Sequence, residues 1–175
     1  NSSFKLCCDQ GAFFVKLNAP NRLLMFEQEA AMLQRLANVM AESSLIRLPV
    51  CYLTGVIGSN AFIVLEWLEL TELEEHSAAQ LGQGLARLHD ETNVSFGWPD
   101  DGYIGLSRQL NGADDNWSKF WQDQRLGFQA KMARRNGLPA GIEARLGLLL
   151  EAMPALFDGY QPPASLLHGD LWIGN

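Results

Sequence analysis

Short apolar runs and longer helical stripes alternate along this chain in a definite order. Phe4 to Cys8 and Ala12 to Leu17 are two such runs flanking Asp9-Gln10-Gly11, which predicts a β-hairpin. From Asn21 to Glu42 the period changes: Phe26, Leu33, Leu36 and Met40 recur at helical steps, Pro20 precedes the segment, and Asn21 is placed to cap it. Leu48 to Val56 and Asn60 to Glu66 read as two more strands joined through Gly58-Ser59-Asn60. A second helix is expected over His76 to Glu91, with Ala78, Leu81, Leu85 and Leu88 on one face. Thr92 to Ala113 is rich in Gly, Pro, Asp and Asn and reads as a long loop. Trp117, Trp121, Gln124 and Phe128 then mark a helix face whose aromatic members are expected in the core. A last helix is expected from Leu138 to Met153, with Pro139 near its start and Pro154 just past its end. No internal repeat or low-complexity segment interrupts the order. Strands with one helix come first and helices dominate afterwards, which predicts two lobes with a cleft between them.

Polar residues that break the pattern are the informative ones. Lys16 sits inside the apolar run Phe13-Phe14-Val15-Lys16-Leu17. Glu29 falls on the first helix's apolar stripe, three after Phe26 and four before Leu33, whereas Glu27 falls on the other side. A carboxylate on a buried face needs a cationic partner, because burying it alone is costly. Lys16 is the natural candidate. Glu66-Trp67-Leu68-Glu69-Leu70 is where strand character ends and acidic residues gather, as expected for a hinge between lobes. His89 at the end of the second helix reads as structural.

Composition narrows the class. The chain has 175 residues, 47% hydrophobic and 19% charged, enough for one domain or two small lobes. Its net charge is −7, and no Lys/Arg-rich run offers a surface for nucleic acid or an anionic membrane. Cys7, Cys8 and Cys51 are odd in number and lack metal-ligand spacing, which fits reduced thiols and a cytoplasmic location better than a disulfide framework. No apolar run reaches membrane-spanning length, and the first residues have no secretory pattern.

The densest chemistry is in Leu166-Leu167-His168-Gly169-Asp170-Leu171-Trp172-Ile173-Gly174-Asn175. An Asp followed five positions later by an Asn, on a loop entered from an apolar strand, has the spacing of a kinase catalytic loop. There the Asp accepts the proton of the acceptor hydroxyl and the Asn holds a magnesium ion. Lys16, in a strand near the start, is where kinases carry the lysine that grips the nucleotide phosphates. His168 is expected to fix the loop by hydrogen bonds rather than to act as the base.

The chain resembles the fructosamine kinase (ketosamine 3-kinase) family, within the aminoglycoside-phosphotransferase-like branch of the protein-kinase-like fold. The resemblance rests on Phe14-Val15-Lys16-Leu17-Asn18, Met25-Phe26-Glu27-Gln28-Glu29 and Gly102-Tyr103-Ile104-Gly105. It continues through Gln109-Leu110-Asn111, Trp117-Ser118-Lys119-Phe120, Gln124-Arg125-Leu126 and the closing Leu167–Asn175 motif. It implies an α+β, bilobal protein-kinase-like fold. Residues 1–66 would be a small antiparallel-sheet lobe with one helix, 67–70 the hinge, and 71–175 a mostly helical lobe. It also implies ATP and Mg2+ as cofactors, and transfer of the γ-phosphoryl group to the hydroxyl on the third carbon of a ketosamine or other glycated amine. By the same resemblance Lys16 would hold the ATP phosphates and Glu29 would orient Lys16. Glu66, Trp67 and Leu68 would face the nucleotide, Asp170 would be the catalytic base, and Asn175 a magnesium ligand. Asn111, Gln124 and Arg125 match recurring motif positions and are candidates for the acceptor.

Two parts of the family pattern fall outside these residues. The glycine-rich turn over the phosphates should precede or overlap Asn1-Ser2-Ser3, and the second metal-binding Asp should follow Asn175 by roughly a dozen residues. The chain therefore reads as a stretch of a longer protein, inactive by itself. Two other readings stay open: a phosphotransferase for another small hydroxyl compound such as an aminoglycoside or choline, and a non-catalytic pseudokinase.

Overall fold

The computed structural model describes residues 2–171. They divide into two compact units, Asn1–Glu91 with Leu167–Asn175, and Thr92–Leu166.

The first unit is built on a four-stranded antiparallel sheet. Its strands are β1 (Ser2–Cys8), β2 (Gly11–Asn18), β3 (Cys51–Ile57) and β4 (Asn60–Glu66), in spatial order β1-β2-β4-β3. Gly11 closes the first hairpin at φ +124° and Gly58 the second at φ +57°, conformations that side chains resist. Helix α1 (Leu23–Val39) packs on β3 and β4. The residues it covers on β4 are Ala61, Ile63 and Leu65, alternating as one face of a strand must. From the helix side Met25, Phe26 and Leu36 are buried, with Met40 just beyond its end, so the expected stripe is the packed one. The start of α1 differs from expectation. Asn21 caps nothing; it lies in a 3-10 turn, Pro20–Arg22, whose fixed proline φ leads the chain into the helix. The side-chain oxygen that satisfies a backbone N–H here belongs to Asn18, which accepts from Ala19 at 2.8 Å. Helix α2 (Glu75–His89) starts with a reciprocal capping box between Glu74 and Ser77.

The second unit is mostly helical. The expected long loop holds short pairings: β5 (Thr92–Asn93), and a hairpin of β6 (Gly102–Ile104) and β7 (Ser107–Gln109) across Gly105. Strand β5 pairs with β8 (Ala164–Ser165). Between them lie α3 (Trp117–Phe120), α4 (Gly127–Arg135) and α5 (Ala140–Leu156). Phe96, Phe120, Ala130, Met153 and Leu166 form the buried centre, with the Phe96 and Trp117 rings 4.8 Å apart.

Two expectations fail in this unit. Helices α3 and α4 are not one continuous α-helix: Trp121–Leu126 forms a π-helical turn between them. The extra residue in that turn rotates everything after it relative to a 3.6-residue period. Phe120, the residue before the turn, is buried, while Trp121, its first residue and expected on the apolar stripe, is exposed. The turn requires Gly127, whose N–H donates to the Gln122 carbonyl, because a Cβ at that position would lie 2.2 Å from the same oxygen. Pro154 also sits inside α5 rather than past its end. Having no N–H, it leaves the Leu150 carbonyl without its helical donor, and the Gln122 side-chain amide takes that place at 2.8 Å.

Candidate active site

Strand register decides where Lys16 points. In β2, Phe14 and Lys16 share a face and lie opposite Leu65 and Ile63 of β4. Ile63 and Leu65 are on the face that α1 covers, so Lys16 emerges under the helix. There its Nζ donates to Glu29 Oε1 at 2.6 Å, with both side chains part-buried. The stripe position of Glu29 and the pleat position of Lys16 are thus two halves of one contact. Glu27, one position off the stripe, is exposed. Cys51 lies on the same face of the sheet, opposite Leu65, and burial together with the Glu29 charge pushes its thiol pKa up. A raised pKa leaves less of the nucleophilic thiolate at neutral pH.

The segment after β4 is fastened from both sides. The Glu66 carboxylate pairs with Arg47 and also accepts from the Val50 N–H at 3.3 Å. Trp67 packs near Phe14, with ring centroids 6.3 Å apart, and its indole N–H donates to Glu69 at 2.7 Å. Lys5, on the same sheet face as Lys16, completes the cluster: its Nζ lies 3.1 Å from Glu69 and 4.3 Å from the Trp67 ring centre. Hydrogen bonds from Trp67 and Lys5 hold the Glu69 carboxyl below its ordinary pKa. Leu68 lies between these two anchors. Sequence reasoning missed the Lys5 contribution, since a lysine on a hairpin strand reads as solvent-facing.

The His168-Gly169-Asp170 segment belongs to the same compact unit as Lys16 and Glu29. His168 Nδ1 lies 3.0 Å from His89 Nε2 at the end of α2, so the two rings share one hydrogen bond and one of them must supply its proton. Burial, and then the neighbouring His89, lower the His168 pKa. Both histidines were expected to be structural; their pairing, across 79 positions of sequence, was not foreseeable from either alone. Gly169 has φ +85°, which permits the sharp turn that presents Asp170 at the surface. Asn175 lies outside the described residues.

The remaining candidates belong to the other unit, where Asn111 and Arg125 are brought together. Arg125 Nη2 donates to Asn111 Oδ1 at 2.9 Å. Asn111 is held in turn by its N–H to Asp101 at 2.9 Å and by its amide to the Asp100 carbonyl at 3.0 Å. Gln124 lies against Gly112, where a Cβ would come within 2.9 Å of its amide nitrogen. Among the described residues there is no group of three or more His, Cys, Asp or Glu placed to hold a metal ion, and no helix is long and apolar enough to cross a membrane.

The chain is similar to known proteins over most or all of its length. The profile of the family described as "Fructosamine kinase" matches residues 1–175. A Synechocystis protein named "Probable ketoamine kinase" is 35% identical over all of this chain and 57% of its own length. The chloroplastic protein-ribulosamine 3-kinase of Arabidopsis thaliana is 34% identical over 95% of this chain and 51% of its own. Among solved structures, one from Haemophilus somnus titled "Putative fructosamine-3-kinase" superposes with a TM-score of 0.85 at 27% identity, covering all of this chain and 61% of that one. The chain thus spans little more than half the length of these relatives. With a match over every residue and a shared mixed α/β kinase-like architecture, the chain belongs to the fructosamine kinase family.

Proposed function

We propose that the protein containing this chain transfers the γ-phosphoryl group of ATP to a sugar hydroxyl of a ketosamine, on the third carbon. The observation that carries the reading is the Lys16–Glu29 ion pair at 2.6 Å, because phosphoryl transfer is chiefly a matter of positioned charge. The Lys16 ammonium has three N–H donors and gives one to Glu29, leaving two for phosphate oxygens. Residues 67–70 serve as the hinge between a lobe of residues 1–66 and one of 71–175. Backbone groups near Glu66, Trp67 and Leu68 face the adenine there, and the Lys5–Glu69–Trp67 cluster keeps that segment in place. Mg2+, with Asn175 as its proposed ligand, would supply charge neutralisation at the phosphates.

Asp170 orients the acceptor hydroxyl. In the transfer the bond between the γ-phosphorus and the oxygen bridging to ADP breaks, and a bond to the acceptor oxygen forms. The hydroxyl proton passes to Asp170, late in a loose transition state, so an ordinary carboxylate suffices. The His89–His168 bond fixes the loop two residues upstream of this carboxylate.

The test is ADP release by the intact protein with Mg-ATP, with and without a fructosyl-amine. Release that depends on the acceptor and falls by roughly three orders of magnitude or more in Asp170→Asn, with ATP binding retained, supports the reading. Acceptor-independent or absent release in a protein that binds ATP moves the search to other hydroxyl acceptors.

A further inference from the structure

Arg125 was a candidate for the phosphoryl acceptor, but the structure employs it otherwise. A guanidinium has five N–H donors in one plane. One Nη1 hydrogen goes to the Leu110 carbonyl and the other to the Gln124 carbonyl at 3.2 Å. One Nη2 hydrogen goes to Asn111 Oδ1 at 2.9 Å. With its oxygen facing the guanidinium, the Gln109 amide accepts the other Nη2 hydrogen and the Nε hydrogen, each at 3.0 Å. In that orientation of the Gln109 amide all five donors are engaged by the protein. The flat face is covered too, since the guanidinium carbon lies 4.5 Å from the centre of the Phe120 ring.

The π-helical turn makes this possible. Residues five apart on an α-helix point about 140° away from each other, so Phe120 and Arg125 would diverge. The wide turn between them brings the guanidinium back over the ring and toward Gln109-Leu110-Asn111. That segment is itself tied into its surroundings: Trp98 N–H donates to the Asn111 carbonyl at 3.0 Å, and Asn111 N–H to Asp101 at 2.9 Å. Gly112 then lets the loop close directly onto Gln124.

We propose that Arg125 is a positioning residue that fastens the Gln109–Gly112 segment to the π-helical turn, and that it makes no contact with the phosphoryl acceptor. The Gln-x-Asn and Gln-Arg motifs are then two sides of one internal clamp. A lysine cannot replace this arginine, because a point charge with three donors on a flexible stem cannot serve four acceptor groups in one plane.

The experiment is residue-resolved amide exchange on the intact protein, with acceptor and ATP kinetics measured on the same samples. In Arg125→Lys the Trp98 and Asn111 amides should exchange roughly ten- to a hundredfold faster, while amides of β2 and β4 stay as they were. Asn111→Ala should do the same at Trp98 and shift kcat and KM in the same sense, and the double variant should be little worse than either alone. If Arg125→Lys does not fold, Asn111→Ala carries the exchange test. Unchanged exchange at Trp98, or a rise in acceptor KM in Arg125→Lys without any change in exchange, overturns the proposal. The kinetic arm rests on the phosphotransferase reading; the exchange arm does not, so a protein without kinase activity still decides whether the clamp exists.

Discussion

Replacing Glu29 with Gln removes one charge from the Lys16 pair while keeping a side chain of the same shape and an oxygen that can still accept. The structure sets the size of the effect. Lys16 and Glu29 touch at 2.6 Å, and their side chains are 26% and 29% exposed, so water screens them only in part. For unit charges about 4 Å apart the attraction is ~4 kcal/mol at an effective dielectric near 20 and ~1 kcal/mol in bulk water. Desolvation of both groups offsets part of that, leaving a net of ~1–3 kcal/mol for holding the ammonium in place. If the lysine must occupy that position to engage the phosphates, kcat/KM for ATP falls by about 5- to 150-fold. The assay is initial rate against ATP concentration at saturating acceptor, with thermal unfolding measured in parallel. Glu27→Gln is the control, since Glu27 is exposed on the other side of α1. An unchanged kcat/KM for ATP in Glu29→Gln, or an equal loss in Glu27→Gln, would refute the reasoning.

Gly127→Ala places a methyl group 2.2 Å from the Gln122 carbonyl, so the π-helical turn must rearrange; denaturant unfolding should show a loss of ~1–3 kcal/mol, and an unaltered midpoint would contradict the account of that turn. Gln122→Ala leaves the Leu150 carbonyl beside Pro154 without a donor and should cost ~1–3 kcal/mol by the same measurement; a neutral result would mean water replaces the amide at no cost. The lowered pKa of His168 makes stability pH-dependent. Above the ordinary histidine pKa of about 6.5 both folded and unfolded chains hold it neutral. As pH falls through that value the unfolded chain takes up the proton first, so stability declines until the folded-state pKa is reached. The difference in melting temperature between the wild type and His168→Gln should therefore shrink or reverse from about pH 7.5 to about pH 5; a constant difference would contradict it.

How much was legible in the sequence depends on whether a local period persisted. Hairpins, α1, β3, β4 and α2 follow alternation or helical stripes that run unbroken, and their ends fall within a few residues of where pattern and turn residues place them. The Lys16–Glu29 contact was legible from one period only: the helical stripe put Glu29 on the buried face and called for a cation, and Lys16, inside an apolar run without alternation, was the candidate; its side of the strand is set by the pairing of β2 with β4. The Trp117–Phe128 stripe misled at Trp121, where the π-helical turn begins and the buried ring is that of Phe120 instead, and hydropathy alone does not mark where such a turn starts. Gly127 was the available signal, a glycine inside an otherwise helical run. Pro154 misled similarly: its helical position is tolerable only because Gln122, 28 positions away, takes up the Leu150 carbonyl. The His89–His168 bond and the five contacts of Arg125 join distant segments by geometry that no local pattern carries.

The central proposal is that the γ-phosphoryl group of ATP passes directly to one particular oxygen of a ketosamine, with Asp170 taking the hydroxyl proton. It is tested most directly by incubating the intact protein with Mg-ATP and a fructosyl-amine and reading the product by proton-coupled 31P NMR. The account predicts a single new phosphate monoester coupled to the proton on the third sugar carbon, formed by the wild type and lost in Asp170→Asn. A monoester on another carbon would contradict the assigned acceptor hydroxyl, and the same product formed at an undiminished rate by Asp170→Asn would contradict the assigned base.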